Sequence, residues 1–492
     1  ALWTLGLIGL FGNEVSILTA IVPVLVIVIG SADGLHFMTH YQDAIKSGLS
    51  EQTAIEKTLH VVGIPMIITT LTSMAGFLSL LSMGTSSTVD LALFATLGIF
   101  LAGVATWFAL PLILSGGPNV LPKRQSKMHQ NVSGFLKKLW GIPSIAIALV
   151  LVALGATFAG SISHEFDMLS IYKDSTEVAK SAKKIQSVVG GSIPIYIEID
   201  MDSTLLSYDS YLQVSALTDQ LLAMPEVDHI VSPYQLFDYL IAAQTNQDIT
   251  TDLQVQTAYY AIRNQSIEMI SKMMDVHDNR LRVLVFPVNQ ENDTLGTIEN
   301  AVNDSSLTTS VSGVQYLLRD LNTQIGVMQL ESIAIALVVV FLMLAISLQS
   351  IKTAFLGVLP MISTVASIYF FMGVTGIPLN ITTVIIFSIA IGVGVDYAVH
   401  YASVYRMYWR ETKDNVLSIE QSFHQVGRPV IANALGIAIG LTVLVFSPLT
   451  IHRNVSILMW VGMITSVFVT LTLLPTLFKY FPPRKKGHRP LQ

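Results

Sequence analysis

The stretch Gly392-Val-Gly-Val-Asp-Tyr-Ala-Val-His400 decides the fold of this chain. It places one acid and one histidine inside an apolar run that is long enough to cross a bilayer. A related stretch, Gly30-Ser-Ala-Asp-Gly-Leu-His36, lies 364 residues earlier. An ionisable side chain deep in a span costs on the order of a few kcal/mol, so both acids are candidates for function.

Composition points to the same class of protein. Of 492 residues, 52% are hydrophobic and only 12% are charged, and the mean hydropathy is +0.61. Few soluble chains have this balance, and collagen-like and disordered chains are excluded by it. The absence of cysteine from the sequence excludes disulfides, thiolate metal sites and cysteine nucleophiles.

Nine apolar stretches have the length of a membrane span. They lie near 16–40, 64–84, 91–115, 141–161, 331–349, 353–375, 381–405, 429–448 and 455–478. A tenth stretch, residues 1–12, is about half as long as a span requires. We therefore predict a polytopic α-helical membrane protein.

Charge predicts the orientation of the spans. Lysine and arginine cluster between the third and fourth spans, between the seventh and eighth, and at the C-terminus, which the positive-inside rule makes cytoplasmic. Residues 162–326 hold 22 acidic and 9 basic residues, and alternation places this block outside the cytoplasm. Its patterns predict strands near 192–200 and 280–286 and helices near 211–224, 234–243 and 295–302, hence an α/β domain.

The two membrane halves pair without a gap at an offset of 364 residues over about 110 positions. Matching residues are Gly30 with Gly394, His36 with His400, His60 with His424, Pro65 with Pro429, Gly76 with Gly440 and Pro111 with Pro475. Shared hydrophobicity does not explain matched histidines and helix breakers, so we predict two parallel repeats related by an axis along the membrane normal. The second copy has a span, a soluble domain and two further spans whose first-copy partners would precede Ala1. The chain is thus expected to continue upstream by roughly 225 residues.

With these motifs the chain resembles the resistance-nodulation-division (RND) transporter superfamily. Its Asp396-Tyr397 pair and its compact soluble domain are similar to the MMPL branch of that superfamily. The MMPL branch is related to sterol-sensing proteins. The resemblance implies proton-driven export of a hydrophobic or amphipathic substrate, with the soluble domain as a porter-like extracytoplasmic domain. One departure stands out, because the register sets Ala32 against Asp396 and Asp33 against Tyr397. The Asp-Tyr pair is therefore present once.

The predicted organisation has six parts. They are a first membrane repeat at 1–115 (a partial span 3 and spans 4–6), a cytoplasmic basic linker with an amphipathic elbow at 116–140, span 7 at 141–161, the extracytoplasmic α/β domain at 162–328, the second membrane repeat (spans 8–12) at 329–480, and a cytoplasmic basic tail at 481–492.

The predicted chemistry is a proton relay. His36 follows Asp33 by three residues and His400 follows Asp396 by four, so each acid and its imidazole share a helix face. A buried carboxylate beside a histidine can pass a proton. The alternative is that each pair only satisfies itself by a hydrogen bond. The resemblance further implies that Tyr397 donates to a carboxylate of the other half.

Other residues are expected to support the relay or its packing. Supporting polar candidates are Thr39, Ser403, Thr69 and Asn433, which are equally well explained as hydrogen bonds between helices. Gly30, Gly392 and Gly394 are expected to allow close helix approach around the acids. The sequence shows no metal-ligand pattern, and we expect neither metal nor cofactor.

The leading functional hypothesis is export of a hydrophobic or lipid-like substrate, driven by the proton-motive force, from the bacterial inner (plasma) membrane. Protons, the substrate and membrane lipids are the expected partners, a homo-oligomer or a periplasmic partner is left open, and nucleic acid is excluded by the acidic soluble block. A lipid or sterol sensor on the same scaffold is the alternative, and it predicts dispensable acids. A protein-export accessory is less favoured, and without a nucleophile or metal pattern an enzyme is not expected.

Overall fold

The computed structural model describes residues 1–115, 127–163, 171–189, 193–265, 267–289 and 291–482. The chain divides into two compact units, residues 1–164 with 324–492 and residues 165–323. Parts of the predicted basic linker, 116–126, and of the predicted basic tail, 483–492, lie outside the described residues.

Long helices build the membrane unit. They are α1 (Leu2–Leu10), α2 (Val22–Lys46), α3 (Glu51–Leu78), α4 (Ser86–Leu114), α5 (Lys127–Lys138), α6 (Ile142–Ala159), α13 (Val314–Leu348), α14 (Ile351–Thr375), α15 (Ile381–Thr412), α16 (Asn415–Leu441) and α17 (Thr450–Tyr480). Within the described residues nine helices are long and apolar enough to span a bilayer, which confirms the predicted polytopic helical fold. Most of these helices are longer than the apolar stretches predicted from the sequence, because polar helical turns with N-caps extend them at their ends. The Ser50 side chain, for example, accepts a hydrogen bond from the Thr53 backbone at the start of α3.

The duplication is visible in the helix boundaries. Helix α3 begins at Glu51 and α16 at Asn415, while α4 begins at Ser86 and α17 at Thr450. Both pairs differ by 364 residues, the offset of the sequence repeat. Packing repeats as well, because α2 contacts α16 and α15 contacts α3. The predicted two repeats are therefore confirmed.

The second unit is an α/β domain, as predicted. Its elements are α7 (Glu177–Val189), β1 (Ile195–Asp200), α8 (Tyr208–Leu222), β2 (Val227–Val231), α9 (Pro233–Thr245), α10 (Asp252–Gln265), α11 (Ile267–Met273), β3 (Met274–Asp275), β4 (Arg280–Pro287), α12 (Asn292–Asn303) and β5 (Thr308–Ser312). The sheet has the order β2-β4-β1-β5, and β3 also pairs with β4. Every pairing is antiparallel.

Alternating side chains give the sheet a buried face. Ile197 of β1 lies opposite Val283 of β4, and both are fully buried against the domain helices. The paired Glu198 and Arg282 point to the other face. The sequence predicted β1 and β4 because their apolar residues alternate, whereas β2 and β5 are short and were not predicted.

The predicted elbow, around residues 132–140, includes the end of α5 and packs on the second repeat. The Trp140 indole N–H donates to the Leu471 carbonyl at 3.0 Å, and its ring meets Phe423 edge-on with centroids 5.2 Å apart. The Lys137 Nζ lies 3.1 Å from His424 Nε2. The elbow is thus a helix contact as well as an amphipathic segment.

Candidate functional site

Two glycines bring the repeats into backbone contact beside the acids. A Cβ built on Gly76 of α3 would lie 2.9 Å from the Cα of Gly392 on α15. One turn before Gly76 on α3, the Ser73 hydroxyl donates to the Gly392 carbonyl at 3.1 Å. The repeat-related contact is present too, since a Cβ on Gly440 would lie 2.7 Å from Val28. Each contact maps onto the other by the 364-residue offset, as expected for an interface between related halves.

Asp33 lies on α2 and is held by two threonines of α3. Thr69 Oγ1 donates to Asp33 Oδ1 at 3.0 Å, and Thr70 Oγ1 donates to Oδ2 at 3.1 Å. Both carboxyl oxygens therefore have a hydroxyl donor. The structure brings two residues that the sequence singled out separately, Asp33 and Thr69, into a hydrogen bond. Thr70 was not predicted, because its repeat partner, Ala434, carries no polar group.

Asp396 lies on α15 and is more deeply buried than Asp33. Its side chain is 5% exposed, and its Oδ1 has no hydrogen-bond partner among the described residues. The side chains of Thr72 and Ser73 are adjacent to the carboxyl group, and Asp33 is close enough to interact with it electrostatically. Acids from opposite repeats thus lie within electrostatic reach of each other inside the membrane unit.

His36 and His400 meet each other. Their rings stack with centroids 4.0 Å apart and an interplanar angle of 9°. Both side chains are buried, and neither Nε2 has a partner among the described residues. Because the two residues are equivalent in the repeat, their contact lies on the pseudo-two-fold axis. The geometry shows no hydrogen bond from these Nε2 atoms to the acids.

A third histidine, His40, was not predicted. It lies one turn beyond His36 on α2, half-buried, within electrostatic reach of both His36 and His400. Asp43 follows one turn later and interacts with His40. The spacing of acids and histidines at 33, 36, 40 and 43 was the signal that could have found it, since these positions share one helix face. Among the described residues no group of three or more such side chains could hold a metal ion.

The hydrogen bond of Tyr397 differs from the one expected from the sequence. Its hydroxyl donates to the Met463 sulfur at 3.6 Å rather than to a carboxylate of the other half. Both oxygens of Asp33 already accept from threonines, and the Tyr397 side chain is turned toward α17. Tyr397 still lies beside Asp396 in the chain and interacts with it electrostatically.

The supporting candidates differ in where they lie. The Thr39 hydroxyl donates to the Leu35 carbonyl of its own helix at 2.8 Å. Ser403 is half-buried on α15, and no hydrogen bond joins it to the acids within the described residues. Asn433 is buried, and its Nδ2 has no partner among those residues. Of the matched polar pairs, only Thr69 is joined to an acid by a hydrogen bond in the described part of the chain.

The predicted packing glycines lie at close helix contacts. A Cβ on Gly30 would lie 2.6 Å from Ala102, and one on Gly394 would lie 2.7 Å from Ser466. These two contacts are again equivalent under the 364-residue offset. A Cβ on Gly392 would lie 3.3 Å from the Ser73 backbone.

Three serines form a second buried polar cluster. The hydroxyl of Ser79 lies 3.2 Å from those of Ser332 and Ser388, which are 3.3 Å apart. Gln329, one turn before Ser332 on α13, is fully buried, and its amide has no partner among the described residues. The cluster joins the turn that follows α3 to α13 and α15, on the side of Asp396 away from the histidines.

Fold and site together define the class: a multi-pass membrane transporter fold of two parallel repeats with an inserted α/β domain and one acid inside the membrane unit from each repeat. Residues 287–490 match the MMPL family model, and residues 1–116 match the model of the sterol-sensing domain of SREBP cleavage-activation. These matches confirm the resemblance to the MMPL and sterol-sensing branch of the RND superfamily.

Two of the curated relatives are named as lipid exporters. The chain is 28% identical over 187 residues to the sulfolipid-1 exporter MmpL8 of Mycobacterium tuberculosis, covering 37% of this chain and 17% of that protein. It is 19% identical over 382 residues to the mycolic acid-containing lipids exporter MmpL11 of Mycolicibacterium smegmatis, covering 74% of this chain and 36% of that protein. The chain thus spans about a sixth to about a third of the length of these relatives.

Proposed function

We propose that this protein is a secondary transporter that uses the proton-motive force to export a hydrophobic or lipid-like substrate from the bacterial inner membrane. The observation that carries the proposal is that Asp33 and Asp396, one acid from each repeat, lie within electrostatic reach of each other inside the membrane unit. Stacked histidines lie one turn away on the same helices. Acids and imidazoles in this arrangement can bind and pass protons.

The proton acts through repulsion between the acids. Two neighbouring carboxylates in a poorly solvated interior repel strongly when both are ionised, and a proton on either one removes that repulsion. Arrangements of the two repeats that bring the acids together or apart therefore bind protons differently. A proton gradient can drive the exchange between such arrangements, up to the difference in proton affinity between them.

Orientation and substrate complete the proposal. The positions of the basic loops support an extracytoplasmic α/β domain, which would form part of the substrate path. A lipid-like substrate is supported by the names of the relatives, which export sulfolipid-1 and mycolic acid-containing lipids.

A lipid or sterol sensor is the second candidate. The match of residues 1–116 to a sterol-sensing domain model favours it. A sensor would bind a lipid between its helices without using a proton gradient, so its acids would be dispensable. The activity of variants in which an acid is replaced by its amide therefore distinguishes a transporter from a sensor.

Lipid analysis of cells tests the proposal. Cells lacking the gene should retain one lipid class in the inner membrane and lose it from the outer layers of the envelope, and the wild-type gene should restore it. The variant Asp396→Asn should be inserted at normal levels, because the amide keeps the shape of the side chain, and should fail to restore export. Full restoration by Asp396→Asn would favour the sensor.

A further inference from the structure

We propose that His40 and Asp43 form a single proton exit on the predicted cytoplasmic side, and that Asp33 and Asp396 share this exit. This inference rests on the proposed proton coupling and adds the route that the proton takes. Asp33, His36, His40 and Asp43 are separated by three, four and three residues, so they follow one face of α2. At 1.5 Å per residue this line is about 15 Å long and runs from the acids toward the end of the helix.

The stacked histidines connect the second acid to this line. His400 lies one turn after Asp396 on α15, and its ring contacts His36 at a centroid distance of 4.0 Å. His40 is within electrostatic reach of both rings. A proton from either repeat can therefore arrive at His40.

The two repeats differ at the positions that follow the stacked histidines, and this difference leaves one proton exit instead of two. The repeat partners of His40 and Asp43 are Val404 and Met407, neither of which can carry a proton. Only α2 continues the line, and it ends at Asp43, which is exposed and lies 3.6 Å from Lys46. The equivalent residues His36 and His400 are thus followed at these positions by proton-binding side chains on α2 alone of these two helices.

The chemistry of each step is a proton hop. A protonated carboxyl group gives its proton to an imidazole nitrogen and becomes a carboxylate, while the imidazole becomes an imidazolium. The imidazolium then passes a proton to His40, which releases one to Asp43 or to solvent. Each imidazole has two nitrogens that can accept and donate in turn, and the Nε2 atoms of His36 and His400 have no competing partner among the described residues.

The test follows protonation of the acids in time. The protein, produced as its gene encodes it and placed in lipid nanodiscs, is mixed with a caged proton, and a laser flash releases the proton. Infrared absorption of protonated carboxyl groups reports arrival at the acids, and Asp33→Asn and Asp396→Asn assign the bands. Substitution His40→Val, the residue of the other repeat, should slow the rise on the order of tenfold.

Controls separate the route from folding and from the proposed function. His60→Val makes the same change at an exposed histidine of α3 and should leave the rate unchanged. If His40→Val folds poorly, His40→Ala should also be slow and should recover its rate when imidazole is added. A rate in His40 variants equal to that of the wild type overturns the shared exit, whereas carboxyl bands that neither Asp→Asn variant removes would overturn the proton coupling itself.

Discussion

At the scale of single residues, the two acids inside the membrane unit have different surroundings although they lie one register position apart. Asp33 accepts hydrogen bonds from Thr69 and Thr70, while one oxygen of Asp396 has no partner among the described residues. A buried acceptor that loses its donor costs about 1–3 kcal/mol, and more if it is charged. The threonines therefore contribute to stability as well as to the site.

Thr69→Val tests this contribution. Valine keeps the shape and removes the hydroxyl, so one oxygen of Asp33 loses its donor, and we expect a loss of about 1–3 kcal/mol in stability. Thermal unfolding of the purified protein should show a lower midpoint. Thr157→Val is the matched control, because that exposed hydroxyl bonds only to the Ala153 carbonyl of its own helix. Equal midpoints for the two variants would contradict the role given to Thr69.

At the scale of helices, the repeats are joined where glycines let backbones touch. Gly76 on α3 faces the backbone of Gly392 and Ser388 on α15. Lipid provides no hydrophobic driving force between helices, so close packing of small residues and hydrogen bonds such as Ser73 to Gly392 stabilise the interface. Asp396 lies one turn after Gly392 on α15, so one of the two acids is close to this contact.

Gly76→Ala and Gly436→Ala make the same change at different places. The new methyl group at 76 would lie 2.9 Å from backbone atoms of α15, so the helices must separate, and we expect a destabilisation of about 1–3 kcal/mol. At 436 nothing lies within 4 Å, and alanine should be neutral or stabilising by up to about 1 kcal/mol. Thermal unfolding and the yield of folded protein compare the two. A Gly76→Ala variant as stable as Gly436→Ala would show that the helices are not held at this point.

Sequence periodicity predicted the elements that have strong patterns. Nine spans and the repeat follow from apolar runs and a constant offset, both of which are local or one-dimensional signals. Strand β5, Thr308–Ser312, has no apolar alternation because it is an edge strand, and pairing with β1 alone defines it. The partner of Tyr397 depends on how α15 and α17 pack, and no spacing within one helix predicts a contact with Met463.

At the scale of the whole molecule, the membrane unit combines symmetry with one asymmetric path. Equivalent helices pack equivalently, and His36 stacks on its own repeat partner. The acids, the third histidine and Asp43 break the symmetry, because their partners in the other repeat are Tyr397, Ala32, Val404 and Met407. A symmetric frame gives two related arrangements, and the asymmetric groups let proton binding favour one of them.

Gradient-driven transport in vesicles tests the central claim most directly. The complete protein would be reconstituted with an isotope-labelled sample of the lipid class that accumulates in cells lacking the gene. An imposed pH gradient should drive movement of the label, a protonophore should stop it, and Asp33→Asn and Asp396→Asn should each abolish it while remaining folded and inserted. Full gradient-dependent transport by both variants would contradict proton coupling through these acids.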